Sequence, residues 1–195
     1  MRSVFNRRFV GKQTVNPVTA DRRRSAIWGA IEALETRRLL TSVVVNSTLD
    51  NVNDSVITGP SITLREAVNY EDHNGGGTIT FAPSVFGTAK TIALASQLNL
   101  TNTNSLTITG PGAGLLTISG QNATRVLYMN GGAATLSGLT ISGGNASGGA
   151  GLDVISGTVT LTNVTVANNT AQGDGIFDYG GGVNTQSFGS VILGA

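Results

Sequence analysis

Two nine-residue stretches of this chain align without a gap at an offset of 25 residues: Ala134-Thr135-Leu136-Ser137-Gly138-Leu139-Thr140-Ile141-Ser142 and Val159-Thr160-Leu161-Thr162-Asn163-Val164-Thr165-Val166-Ala167. A period of about 20–50 residues marks a solenoid, in which each unit buries its apolar side only against its neighbours. This unit is too short for a propeller blade, which needs about 40 residues. A leucine-rich repeat has a suitable length, but the Leu-x-x-Leu-x-Leu frame with its Asn is absent. Three short strands and their turns fill one coil of a β-helix. Within the repeat, Thr and Ser alternate with Leu, Ile and Val, which sends one set of side chains into the coil and the other outward. The spacing predicts that Leu136, Leu139 and Ile141 stack on Leu161, Val164 and Val166 in parallel strands.

The chain upstream has the same character. Thr78-Ile79-Thr80-Phe81, Thr91-Ile92-Ala93-Leu94, Leu106-Thr107-Ile108-Thr109, Leu116-Thr117-Ile118-Ser119 and Val126-Leu127-Tyr128-Met129 read as strands separated by Gly, Asn or Pro. A sandwich or barrel also gives short strands with turn signals, and the internal repeat argues against both. The 27 glycines serve turns, and Asn145, Asn168 and Asn169 suit left-handed corners. Glycine-bearing turns follow both repeat copies, Gly149-Ala150-Gly151-Leu152 and Gly180-Gly181-Gly182-Val183. A third copy is expected at Ser190-Val191-Ile192-Leu193, cut off before any cap. The chain is therefore expected to be truncated, with an open apolar coil through which it self-associates.

With no cysteine there is no disulfide framework, and with 39% hydrophobic residues the chain lacks the signature of disorder. Net charge is +1, but residues 1–40 hold nine basic and three acidic residues, and the rest holds three basic and eight acidic. This is a basic arm on a mildly acidic body. Residues 1–41 are assigned to the arm, expected to be largely disordered, and 42–195 to the solenoid. The arm's basic residues come in small groups, Arg7–Arg8, Arg22–Arg24 and Arg37–Arg38, so nucleic acid is not the expected partner. Its apolar stretch, Ser25-Ala26-Ile27-Trp28-Gly29-Ala30-Ile31, is a weak signal core and too short to cross a membrane.

The run Leu34-Glu35-Thr36-Arg37-Arg38-Leu39-Leu40 resembles the LEPR-x-LL element at the front of many large exported or surface-associated planctomycete proteins. It departs by Thr36 in place of proline. The resemblance implies sorting to the cell envelope or exterior; a chance Glu/Arg helix with a leucine pair is the plain alternative. Further on, Ile62-Thr63-Leu64-Arg65-Glu66-Ala67-Val68 resembles the CSLREA element of a group of β-helical surface proteins, departing at Ile62 and Thr63. Ser61 or Thr63 is placed to cap a short helix there, with Leu64, Ala67 and Val68 on one face. The resemblance implies that this helix covers the open end of the first coil. Residues 61–195 as a whole resemble the polymorphic outer-membrane and adhesin-like right-handed parallel β-helix family, whose coils carry G-G-G-[IV] followed by T-L-T-N-[SV]-T-[VI]. The fold it implies hosts adhesins, lyases and hydrolases alike.

Two places carry candidate chemistry. Gly148-Gly149-Ala150-Gly151-Leu152-Asp153-Val154-Ile155-Ser156 satisfies the calcium nonapeptide pattern G-G-x-G-x-D-x-U-x. Calcium takes about six to eight oxygens, and one nonapeptide does not complete that shell. The next coil is read as offering Asn184 where this one has Asp153. Asp153 is thus a candidate calcium ligand or a residue beside an ordinary glycine turn. The second place is an apparent insertion of about six residues around 173–179, since the glycine turns lie farther apart than the strands before them. It brings Asp174, Phe177, Asp178 and Tyr179 together, a mix suited to carbohydrate, or a plain solvated loop. For catalysis, a lyase needs a basic residue beside its carboxylates, and the solenoid offers Arg65, Lys90, Arg125 and His73. Arg125, one coil before Asp153, is placed to face it. A glycosidase needs two carboxylates about 5–9.5 Å apart. His73 reads as an exposed loop residue. The expectation is an exported or cell-surface, non-catalytic β-helix protein, structural, adhesive or carbohydrate-binding, with carbohydrate or envelope components as partners. The alternative is a truncated polysaccharide lyase or glycoside hydrolase.

Overall fold

A computed structural model of the chain describes residues 42–50, 57, 59–101, 105–171, 176–178 and 182–186. All of them lie in Leu40–Ala195, one of two compact units into which the chain divides. The expected arm, with its Leu34–Leu40 motif, and the expected open end at Ser190–Leu193 lie outside the described residues.

The described chain is a parallel β-solenoid of about four turns. Its elements run β1 (Ser42–Val45), α1 (Leu64–His73), β2 (Gly77–Phe81), α2 (Pro83–Phe86), β3 (Lys90–Ala93), β4 (Leu98–Leu100), β5 (Ser105–Thr109), β6 (Leu116–Ser119), β7 (Leu127–Ser142), β8 (Asn145–Ala146), β9 (Leu152–Ala167), β10 (Thr170–Ala171), β11 (Ile176–Asp178) and β12 (Gly182–Gln186). Every pairing among them is parallel, and together they build three faces. Face one stacks β1, β2, β5, residues 133–137 of β7, 158–162 of β9, and β12. Face two stacks β3, β6 and the C-terminal ends of β7 and β9. Face three stacks β4, the N-terminal ends of β7 and β9, and β11. The two-residue strands β8 and β10 pair at a corner.

The predicted stacking holds residue for residue: Leu136 on Leu161, Leu139 on Val164, Ile141 on Val166. The inward columns are buried through β9, as with Ile92, Ile118, Ile141 and Val166 on face two. Each such side chain withdrawn from water stabilises the fold by roughly 1.5–3 kcal/mol. Several short elements escape the sequence reading, among them β4 and α2. Strand β4 has three residues, too few for alternation to register, and α2 is a single turn with proline at its start. Phe86 of α2 is fully buried and meets Phe81 edge to face, with centroids 5.1 Å apart.

Helix α1 closes the N-terminal end, packed on β1, β2 and β4. Thr63, not Ser61, is its N-cap: the Thr63 hydroxyl accepts from the Glu66 amide while the Glu66 carboxylate accepts from the Thr63 amide, a reciprocal capping box. Leu64, Ala67 and Val68 are fully buried against the first coil. His73 is the exposed last residue of this helix rather than part of a loop.

Long strands β7 and β9 turn from face one to face two at single residues, Gly138 (φ 59°) and Asn163 (φ 52°). Only glycine and, at modest cost, asparagine enter this left-handed region readily. Of the asparagines expected at such corners, Asn168 adopts it (φ 55°), whereas Asn145 lies in β8 and Asn169 points inward. The buried Asn169 amide accepts from Gly144 N at 2.7 Å and donates to the Ile141 carbonyl at 3.2 Å. Gly144 and Gly151 leave the space, since a Cβ on either would fall within 2.8 Å of that amide.

Beyond β9 the coil arrangement differs from the sequence reading. Leu152, Asp153 and Val154 pair with Ile176, Phe177 and Asp178, and Val159 and Thr160 pair with Val183 and Asn184. Both offsets are 24 residues, so the fourth coil contains no insertion. Val183 is in register with Val159, the residue beside Asp153 is Phe177, not Asn184, and the expected copy at Ser190 lies outside the described residues. The two glycine runs look alike in sequence but lead into different faces, Leu152 onto face three and Val183 onto face one. Hydrogen-bond register, not glycine spacing, sets which face a strand joins.

Candidate functional site

Asp153 sits in β9 between Leu152 and Val154, both fully buried in the core. Strand alternation aims it outward. It is nevertheless only 6% exposed, because Arg125 from the preceding coil lies over it. The guanidinium Nη2 stands 2.7 Å from Asp153 Oδ2. The same group donates from Nη2 to the Gly148 carbonyl at 3.0 Å, from Nε to the Gly149 carbonyl at 3.1 Å, and from Nη1 to Gln97 Oε1 at 3.0 Å. Its carbon lies 5.6 Å from the Tyr128 ring centroid, within cation–π range. Arg125 thus ties together three successive coils.

This geometry accounts for the nonapeptide-like glycine run in structural terms. Gly149 takes a left-handed φ of 54°, and a Cβ there would meet Asp153 Cβ at 2.7 Å. Gly151 makes room for Asn169. The oxygens that the pattern would turn toward calcium, the Gly148 and Gly149 carbonyls and Asp153 Oδ2, instead face a guanidinium. Asp153 Oδ1 is buried with no hydrogen-bond partner among the described residues, and no group of three or more metal-ligating side chains occurs among them. What the cluster does chemically is hold a charge pair at low exposure, which fixes side chains and coil register together.

A second clamp lies one coil nearer the N-terminus. Arg65 of α1 forms a two-pronged pair with Asp50, Nε to Oδ1 at 2.7 Å and Nη2 to Oδ2 at 2.9 Å. It also donates to the Ser96 and Gln97 carbonyls at 2.6 and 3.0 Å. Asp50 Oδ2 accepts from Ala95 N at 2.7 Å as well. Gln97 therefore serves both clamps, its carbonyl bound to Arg65 and its side-chain oxygen to Arg125. A polar line runs Asp50, Arg65, Gln97, Arg125, Asp153 from the cap into the third coil. Sequence reasoning placed Arg125 opposite Asp153 but missed Asp50 and Gln97. Their partners lie 15 to 32 residues away along the chain, and no local pattern links them.

Of the carbohydrate-loop candidates, Asp174 and Tyr179 lie outside the described residues. Phe177 and Asp178 are strand residues of β11, in register with Asp153 and Val154, and not part of an inserted loop. Lys90 stands exposed at the start of β3. Both arginines of the solenoid are thus held in ion pairs, and neither acid–arginine pair adjoins a second carboxylate among the described clamp contacts. The class that fold and site define is a parallel β-solenoid braced by arginine clamps. Compared with protein-family models, with curated proteins and with solved structures, the chain matches none.

Proposed function

We propose that this chain is an exported or cell-surface β-helix protein with a structural, adhesive or carbohydrate-binding role, related to the CSLREA-type polymorphic outer-membrane and adhesin-like group. The observation that carries the reading is the division of labour within Leu64-Arg65-Glu66-Ala67. Leu64 and Ala67 seal the core, Arg65 clamps Asp50 and the first-coil corner, and Glu66 completes the capping box. Those are the duties that ending a β-helix requires, and the resemblance assigns that position to this element. The arginines' full engagement supports a scaffold over a lyase, since a proton-abstracting base needs a free lone pair near its substrate.

Protease treatment of intact host cells, with detection of the solenoid by antibody, tests the location. Loss of the signal before lysis is expected; a signal protected until the cytoplasm is opened overturns the proposal. Incubation of the purified chain with acidic and neutral polysaccharides tests the role. Retention without chain cleavage is the expected result for a binder. Release of reducing ends, abolished by Arg125→Ala in a chain that still folds, would replace the scaffold reading with an enzyme.

A further inference from the structure

The dipeptide Asn-Gly occurs twice in the chain, at Asn74–Gly75 and Asn130–Gly131. In such a pair the backbone nitrogen after the asparagine reaches the side-chain amide with little hindrance, because glycine carries no Cβ beside it. The solenoid treats the two pairs differently. Asn74 is the C-cap of α1, and its Nδ2 donates to the Tyr70 carbonyl at 2.7 Å, as its backbone amide does at 2.9 Å. The side chain is thereby turned back onto the helix, and closing it onto Gly75 would break the cap. Asn130 is exposed and sits where β7 passes from face three to face one. The ladder with β9 pairs Asn130 with Ser156 and resumes with Ala133 on Thr158, so Gly131 and Gly132 stand against Gly157 alone. Two residues opposing one make a β-bulge, which locally disrupts the ladder. Gly131 has φ 124°, a region that glycine alone enters readily. The Ser156 hydroxyl donates to Asn130 Oδ1 at 2.9 Å. A donor there polarises the amide carbonyl and faces the oxygen on which negative charge develops when a nucleophile adds to Cγ.

We propose that Asn130 is a self-modification site, where the folded chain, assisted by the Ser156 hydroxyl, converts asparagine to aspartate and isoaspartate. The Gly131 nitrogen gives its proton to solvent base and bonds to Asn130 Cγ. The Cγ–Nδ2 bond breaks and ammonia leaves, which closes a succinimide ring. Water then opens the ring. Cleavage of the new bond to Cγ gives aspartate; cleavage of the original peptide bond gives isoaspartate. The only co-reactant is water, and nothing is oxidised or reduced. Either product lowers the formal net charge of the chain from +1 to 0. Isoaspartate also adds one carbon to the main chain between faces three and one. A bulge followed by two glycines has room for that carbon, whereas a regular rung would lose its register. This inference is independent of where the protein resides and of the proposed adhesive role.

The test is incubation of the purified full chain at mildly alkaline pH, folded and in urea, with ion-exchange chromatography and peptide mapping by mass. In urea the two Asn-Gly pairs are expected to convert alike. In the folded chain Asn130 is expected to keep or exceed its urea rate. Asn74 is expected to slow by about tenfold, the order that its cap hydrogen bonds impose. Asn130→Gln is expected to remove the early acidic species. Ser156→Ala is expected to slow conversion at Asn130 roughly three- to tenfold, the range of one hydrogen bond, and Ser156→Thr, which keeps the hydroxyl, to preserve it. A folded chain in which Asn130 converts no faster than Asn74 overturns the proposal. So does a rate at Asn130 that Ser156→Ala leaves unchanged while circular dichroism shows the same fold.

Discussion

Arg65 and Asn169 show how single side chains hold coils that are far apart in sequence. Arg65 and Asp50 have side chains only 7% and 3% exposed, and the pair satisfies carbonyls that would otherwise be bare. Removing one partner of such a pair strands the other charge, at a cost of roughly 3–5 kcal/mol. Arg65→Ala is therefore expected to lower unfolding stability by that order in urea titration. Asp50→Ala added to it is expected to cost far less than a second full increment, because the stranded charge is gone. Equal and additive losses would show that the two residues act separately. Asn169→Leu keeps volume but removes both amide contacts, leaving Gly144 N and the Ile141 carbonyl without partners. About 1–3 kcal/mol for each orphaned group is the expected loss, read from the same titrations.

At the level of elements, α1 and the long strands make different demands. Losing the Thr63 cap in Thr63→Ala is expected to cost about 1 kcal/mol, since one buried helix donor loses its acceptor. The inward columns are less forgiving. Leu139 is fully buried between coils, so Leu139→Ala is expected to cost roughly 2–5 kcal/mol through lost burial and the cavity left behind. Leu49 is 64% exposed, and Leu49→Ala is expected to stay within about 0.5 kcal/mol of wild type. Thermal melts of the two variants side by side check both numbers. A melt in which they shift alike would mean that Leu139 is not packed as described.

For the whole molecule, the decisive property is register. Thr160 and Asn184 are partners on adjacent parallel strands. Neighbouring strands lie about 4.8 Å apart, inside the Cα separation of about 4.4–6.8 Å that a disulfide spans. The chain has no cysteine of its own, so Thr160→Cys with Asn184→Cys is expected to give a single intramolecular bridge under mild oxidation. Asp153→Cys with Asn184→Cys, the pairing that glycine spacing alone suggests, is expected to stay reduced. Mapping of the bridge by peptide mass decides between the two registers, and a bridge only in the second pair would sink the uninterrupted fourth coil.

Much of the molecule was written locally and legible there. The alternation of Thr with Ile or Leu and the cap position ahead of Leu64, Ala67 and Val68 depend on neighbours within a turn or a strand, and the repeat from Leu136 to Leu161 shows as plain self-similarity, so the chain read along its length carries these signals. The parallel coils, their inward columns and the capping helix followed from those stretches. The three-residue β4 and the one-turn α2 were too short to carry a period. Whether Gly180–Gly182 repeats the corner of Gly149–Gly151 depended on which strand edge was free to pair, which is a property of the stacked coils. The clamps belong to the same class, because Asp50, Arg65, Gln97, Arg125 and Asp153 come together only once successive coils have wound over one another. The sequence by itself determined the coil, and the tertiary structure decided the register of its last turn and which charges meet, since hydrogen-bond pairing and charge contact act across space rather than along the chain.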